Sequence, residues 1–176
     1  WDWDDEAIKH REPEAMRKYA FDLKHEIDFY VFMQYLFFAQ WEKLRAYANK
    51  QGIQIIGDIP IYVSPDSCDV WAHPEMFQID GDLKPHGVAG VPPDYYSATG
   101  QLWGNPTYNW KVIEDDGFRW WIWRVRRNLA LFDVTRIDHF RGFQAYWEIP
   151  EGEETAINGK WKKGPRMKLF KAIREA

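Results

Sequence analysis

The sequence predicts an α/β fold in which helices alternate with short buried strands. Two observations carry that reading. Ile53-Gln54-Ile55-Ile56 and Leu131-Phe132-Asp133-Val134 are short and largely apolar, with little polar alternation, as parallel strands buried on both faces are. Each follows a helical pattern and runs into an acid, Asp58 in one case and Asp138 in the other. A helix-then-strand order seen twice points to an α/β barrel or a doubly wound sheet. Ile53–Gly57 and Phe132–Ile137 are therefore expected to be parallel strands of one sheet, with Asp58 and Asp138 at the same edge. In barrels of this kind the strand C-termini carry the chemistry.

Taken in order, Trp1 to Arg11 is charged and reads as a connecting segment. Pro13 fits the first turn of a helix, where its missing N–H costs nothing. Met16, Tyr19/Ala20, Leu23, Ile27 and Tyr30/Val31 then recur at helical spacing, and a second face runs Phe29, Met33, Leu36/Phe37, Trp41, Leu44 and Tyr47/Ala48. One long helix, or two helices broken near Asp28, satisfy this pattern; Gly52 suits the C-terminal cap. Pro60 keeps the residues after Asp58 from continuing as a central strand. Residues 64–110 read as long inserted loops, with Asp80-Gly81 as a hairpin turn and Gly87 to Trp110 too rich in Gly and Pro to be regular. Glu114 or Asp115 can start a helix, acids being favoured in a first turn. Its apolar face is Phe118, Trp121/Ile122, Val125 and Leu129, and Arg119, Arg124, Arg126 and Arg127 give a solvated face. Asn158-Gly159 is a second hairpin signal. Pro165 opens a last helix with Met167, Phe170 and Ile173 on one face.

The 176 residues suffice for a real core. The net charge of -4 argues against broad attraction to nucleic acid or acidic lipid. The single cysteine, Cys68, excludes an intrachain disulfide framework and fits a reducing, cytoplasmic compartment. No apolar run is long enough to span a membrane, and no signal peptide is recognisable. The chain opens without Met, which hints at an excised piece. Asp66, Asp69, Asp80 and Asp82 do not have the spacing of a calcium-binding loop, so no metal and no cofactor are expected. Trp, Tyr and Phe make up 18% of the chain. Many stand in the Gly- and Pro-rich stretch, where flat rings serve as stacking platforms for sugars or nucleobases; nucleobases also need a basic groove.

The densest chemistry lies in Thr135-Arg136-Ile137-Asp138-His139-Phe140-Arg141-Gly142. Arg136 and Asp138 are two apart, so on a strand they point to the same side. A cation at hydrogen-bond distance favours the charged form of a carboxylate, which is what a nucleophile needs. A structural ion pair has the same signature. Gly142 is expected to provide the sharp change of direction after the strand.

The segment from Val134 to Pro150 closely resembles the nucleophile region of the 4-α-glucanotransferases, the amylomaltase or disproportionating-enzyme family. Gly57-Asp-Ile-Pro-Ile-Tyr-Val63, Ser67-Cys-Asp-Val-Trp-Ala-His-Pro74 and Gly90-Val-Pro-Pro-Asp-Tyr-Tyr-Ser-Ala-Thr-Gly-Gln-Leu-Trp-Gly-Asn-Pro106 agree, in the family's order. The resemblance covers nearly the whole chain, more weakly before Phe29 and after Pro150. It implies a partial (β/α)8 barrel of the glucanotransferase type, the chain being one fragment of that catalytic domain. It also implies transfer of α-1,4-glucan segments between maltooligosaccharides by retaining double displacement.

On the resemblance, Asp138 is the nucleophile and Arg136 its holder. His139, Asp58, Tyr62, Asp94, Tyr95, Trp103 and Asn105 are implied substrate contacts, with the loop holding Asp94 to Asn105 over the acceptor side of the cleft. The family's general acid/base is a Glu in a later strand-end motif, beyond this chain, so the fragment alone is expected to be inactive and to need the remaining segments of the barrel. Glu148 stands where the family has a Glu without that role. An α-amylase-like hydrolase needs the same Arg136–Asp138 pair, and a noncatalytic sugar-binding module would need only the aromatics.

Overall fold

A computed structural model describes residues 3–176; Trp1 and Asp2, the start of the expected connecting segment, lie outside them. The chain divides into two compact units: Trp1–Gly57 with Asn128–Thr135, and Asp58–Arg127 with Arg136–Ala176.

The first unit is mainly helical. Helix α1 (Glu6–Lys9) lies inside the stretch expected to be a mere connection, and Asp5 caps it by accepting from the Ala7 N–H at 2.9 Å. Helix α2 (Pro13–Asp22) has Pro13 in its first turn, as expected, and α3 (Lys24–Lys50) follows after Leu23 alone. The break in the helical pattern thus falls at Leu23 rather than near Asp28. Gly52 follows α3 with φ +75, the left-handed conformation a helix-ending glycine adopts without steric cost.

One stripe of α3 meets the strands. The Trp41 Nε1–H donates to the Leu131 carbonyl at 2.8 Å, and its ring meets Phe132 edge-on. One turn on, Arg45 sends Nε and Nη2 to Asp133 Oδ1 at 2.9 and 2.7 Å. One further turn on, Asn49 donates to Asp133 Oδ2 at 2.8 Å. This i, i+4, i+8 alignment follows from helical geometry. The rest of the helix is not core: α3 has no buried residue, and Phe29, Tyr30, Phe32 and Tyr35 are exposed.

Strands β1 (Ile56–Ile59) and β4 (Val134–Ile137) are hydrogen-bonded neighbours. Asp133 N–H donates to Ile55 O at 3.0 Å and, further along, Asp138 N–H donates to Ile59 O at 2.9 Å. The numbers rise together, so the pair is parallel, as expected. Two details differ. β1 begins at Ile56, because the residues before it bond to side chains: Ile55 N–H donates to Asp133 Oδ2 and Ile53 O accepts from Asn49. And β1 is buried on one face only, Gly57 and Ile59 inward with Ile56 and Asp58 exposed. Gly57 is required there, since a Cβ would fall 2.0 Å from the Phe132 ring.

The second unit holds the main core. Tyr108, Trp121, Phe143, Ile59, Ile113 and Leu169 are among its fully buried members. The Gly- and Pro-rich segment expected to be irregular contains two strands, β2 (Gly87–Val91) and β3 (Gln101–Pro106). With β5 (Ala145–Pro150) and β6 (Lys160–Lys163) they form an antiparallel sheet in the order β3-β2-β5-β6. Glycine is needed inside it rather than disruptive: a Cβ on Gly90 would lie 2.1 Å from the Gln101 carbonyl oxygen, where β2 and β3 close up. The Asp80-Gly81 turn is borne out by an antiparallel bridge between Ile79 and Pro85.

Between the short α4 (Cys68–Ala72) and the last helix the remaining expectations shift by a turn or less. Helix α5 (Trp110–Asp115) starts at the Asn109 cap, so Glu114 and Asp115 end a helix instead of starting one. Gly117 and Phe118, both at positive φ, turn the chain into α6 (Arg119–Leu131). Trp121 is buried as expected, Leu129 is exposed, and Trp120 is buried too. Arg124 is not simply solvated. It donates to the Pro60 carbonyl at 2.6 Å and lies over the rings of Trp120 and Trp121. Helix α7 (Met167–Glu175) buries Leu169 and packs Phe170 and Ile173, while Met167 is exposed. Among the described residues no helix is long and apolar enough to cross a membrane.

Candidate active site

The parallel pairing of β1 and β4 decides where the acids stand. Asp58 is on the exposed face of β1, and Asp138 follows β4 directly. Arg136, two residues before Asp138, bridges them. Its Nη1 donates to Asp58 Oδ2 at 2.5 Å and its Nη2 to Asp138 Oδ1. The three side chains are about half exposed, at 60%, 52% and 50% for Arg136, Asp58 and Asp138. A planar guanidinium can hold two carboxylates at fixed angles, which an ammonium cannot. In an exposed setting such contacts add little stability, so orientation is their main physical consequence.

After Asp138 the chain turns at His139, which sits at φ 47, left-handed. The change of direction is therefore made by His139 and not by Gly142. Gly142 is needed for space: a Cβ there would lie 2.6 Å from Ile61 Cδ1 and 3.0 Å from His139 Cδ2. Burial lowers the pKa of His139, with Asp138 opposing and Arg141 adding to the shift. The shift favours the neutral imidazole, which can both donate and accept.

A cavity of about 310 Å³ opens beside His139, lined also by Asp94, Gln101, Trp103, Arg141 and Trp161. That is the lower end of the range for ligand pockets. Trp103 on β3 stands edge-on to His139, with ring centroids 4.9 Å apart and planes at 87°, and its Nε1–H donates to Gln101 Oε1 at 3.0 Å. It is 37% exposed, so part of one face is open. Asp94 lines the cavity and also folds its own loop, its Oδ1 accepting from the Tyr96 and Ser97 N–H groups at 2.8 and 2.9 Å.

The other expected contacts separate from the cavity wall. Tyr95 is 96% exposed and stands edge-on to Tyr96, a projecting pair of rings. Tyr62 is 6% exposed, stacked on Tyr108 and tilted against Trp103; burial pushes its phenol pKa up. It backs Trp103 from within the core. Asn105 spends its amide on the Val63 carbonyl at 2.8 Å, tying β3 to the loop after β1. Glu148 is committed elsewhere. It accepts from Thr107 Oγ1 at 2.8 Å and Gln78 Nε2 at 3.1 Å, with Lys162 at 3.5 Å. Those contacts join β5 and β6 to the segment around Thr107.

Nothing in the sequence singles out Arg141 and Trp161. Arg141 lies inside the recognised octapeptide but carries no spacing signal. Trp161 was one aromatic among many. Among the described residues no group of His, Cys, Asp and Glu is placed to hold a metal ion.

A family model described as 4-alpha-glucanotransferase matches residues 1–176. The 4-alpha-glucanotransferase of Aquifex aeolicus is 60% identical over 98% of this chain and 36% of its own length. That of Clostridium butyricum is 52% identical over 99% of this chain and 36% of its own. The solved amylomaltase of Streptococcus agalactiae, in complex with acarbose, superposes with a TM-score of 0.95 at 49% identity, over 99% of this chain and 35% of that one. The chain thus spans about a third of the length of the relatives it matches.

Proposed function

The chain belongs to the 4-alpha-glucanotransferase family, and on that premise we propose that it supplies the nucleophile side of a retaining active site. The full protein transfers α-1,4-glucan segments between maltooligosaccharides. The observation that carries this reading is the Arg136 bridge between Asp58 and Asp138, at the end of a parallel strand pair and next to a cavity walled by Trp103 and His139.

Asp138 attacks the anomeric carbon of the donor sugar. The bond to the departing oxygen breaks, and a covalent glycosyl ester forms. The geometry of the bridge presents the carboxylate: one oxygen is held by Arg136, and the other is available for attack. Asp58 acts through Arg136 and positions the guanidinium from the far side. His139 offers a hydrogen bond to a sugar hydroxyl, and Trp103 gives the sugar an apolar face against which to stack. The departing oxygen takes its proton from a second carboxylic acid. Asp58 is held by Arg136 and Glu148 by Thr107 and Gln78; on the family resemblance we assign that acid to the remaining segments of the barrel. In the second half-reaction the 4-hydroxyl of an acceptor glucan attacks the ester, its proton returns to the now deprotonated second carboxyl group, and Asp138 leaves as a carboxylate.

Product analysis of the full-length protein on maltotriose tests the reading. Glucose together with longer maltooligosaccharides is the expected outcome. Growth of reducing ends without longer products would show an α-amylase-like hydrolase, and binding without turnover a sugar-binding module; either would overturn it.

A further inference from the structure

Resting on the glucan-transfer reading above, we propose that Arg141 and Trp161 form a further sugar-binding element of the cavity beside His139. Arg141 donates hydrogen bonds to glucose hydroxyls, and Trp161 holds its guanidinium flat.

Other arginines of this unit are consumed by the protein. Arg136 is taken by two carboxylates and Arg124 by backbone carbonyls, while Arg119 is taken by Asp116. Arg141 is different. It is exposed and lines the cavity, and among the described residues it makes no side-chain hydrogen bond or ion pair. What it has instead is a ring: its guanidinium carbon lies 4.1 Å from the centroid of Trp161, well inside cation–π range. A stacked guanidinium keeps its in-plane N–H donors free, and those donors match paired hydroxyls on a sugar ring.

Both partners are braced. Arg141 is in the short 3-10 helix Phe140–Phe143 directly after His139, with its carbonyl accepting from Gln144 N–H at 2.9 Å. Trp161 on β6 pairs across the sheet with Trp147 on β5, the rings edge-to-face at 5.3 Å. Trp147 is itself fixed, its Nε1–H donating to the Ala156 carbonyl at 2.8 Å, and it lies against Gly159, where a Cβ would come within 2.2 Å. Strands β3 and β6 are opposite edges of the sheet, yet Trp103 and Trp161 both line the one cavity. A glucan lying there has the Trp103 indole and His139 in the same wall as the in-plane donors of Arg141, which Trp161 backs from behind.

The test uses the full-length protein and maltotriose, with Arg141→Ala, Arg141→Lys, Trp161→Ala, Trp161→Phe and the double alanine variant. Arg141→Ala should raise KM about tenfold, as loss of a charge-assisted hydrogen bond does, with kcat and Tm close to those of the unmodified protein. Arg141→Lys should not restore KM, because an ammonium lacks the fork. Trp161→Phe should keep most of the affinity and Trp161→Ala lose it. The double variant should be no worse than Arg141→Ala, since the two act as a unit. An unchanged KM in Arg141→Ala, full rescue by Lys, or additive losses in the double variant would overturn the proposal while leaving glucan transfer standing. Absence of transfer by the unmodified protein would overturn both.

Discussion

The backbone N–H of Asp138 donates to the carbonyl of Ile59 at 2.9 Å. That one bond sets the register in which Asp58, the residue before Ile59, and Asp138 fall within reach of the same guanidinium. The placement of the acid is thus a main-chain property, independent of its charge. Substitutions that alter the side chains at this site should change chemistry without moving the strand end.

Arg136→Lys in the full-length protein follows from this. A lysine can reach Asp58 or Asp138 but cannot hold both in one plane. The expected result is a fall in kcat of about 10²-fold, the scale of mispositioned catalytic groups, with Tm nearly unchanged because the bridge is half exposed. Steady-state kinetics beside a melting curve checks it. A variant with near-normal kcat would show that the bridge is only a surface ion pair.

Two tryptophans should separate binding from stability. Trp121 is 0% exposed within the core and Trp103 is 37% exposed on the cavity wall. Trp121→Ala should cost about 3–5 kcal/mol of stability. Trp103→Ala should cost much less and raise the KM for maltotriose. Denaturant melts of both variants, with substrate-dependence curves, decide between the roles. A Trp103→Ala loss as large as that of Trp121→Ala would make Trp103 core.

Much of this arrangement is legible in the residues. The strands around Ile56 and Val134 announce themselves by apolar content, and the acids after them by position. The β2–β3 strands do not, because Gly90 and Gly104 read as loop signals. Only the fold reveals that a side chain at Gly90 would strike Gln101, and one at Gly100 the Val91 carbonyl. Tyr62 and Asn105 match a binding motif in sequence, and the packing turns both inward. The Arg141–Trp161 contact joins residues from a strand-end turn and an edge strand, a long-range pairing no local pattern encodes. By its sequence context Asp133 is one residue of a strand; in the fold it organises the helix–strand contact of its unit.

That network makes a pH prediction. Hydrogen bonds from the Ile55 N–H, Asn49 and Arg45 hold the Asp133 carboxyl down to about 2. The ionised form is favoured by the fold, so its stabilising contribution is complete above the unfolded value of about 3.9 and fades as pH falls toward about 2. Thermal midpoints of the full-length protein and Asp133→Asn should therefore converge between about pH 4 and pH 2. A gap that stays constant over that interval would remove Asp133 from the acid sensitivity.

The exposed face of α3 predicts behaviour of residues 1–176 expressed alone. Phe29, Tyr30, Phe32 and Tyr35 present apolar surface on a helix with no buried residue, and such surface drives association. The fragment is expected to elute as oligomers and to show no maltotriose disproportionation. A monomer that disproportionates would place the acid within this chain and make Glu148 the first residue to change.

The most direct measurement is maltotriose disproportionation by Asp138→Asn in the full-length protein. The substitution preserves shape, and the backbone bond to Ile59 holds the position, so folding should be intact by circular dichroism. With the attacking oxygen's charge gone the glycosyl ester should not form, and activity should fall by at least about 10⁴-fold. Transfer within about tenfold of the unmodified rate would contradict the assignment of Asp138 as the nucleophile.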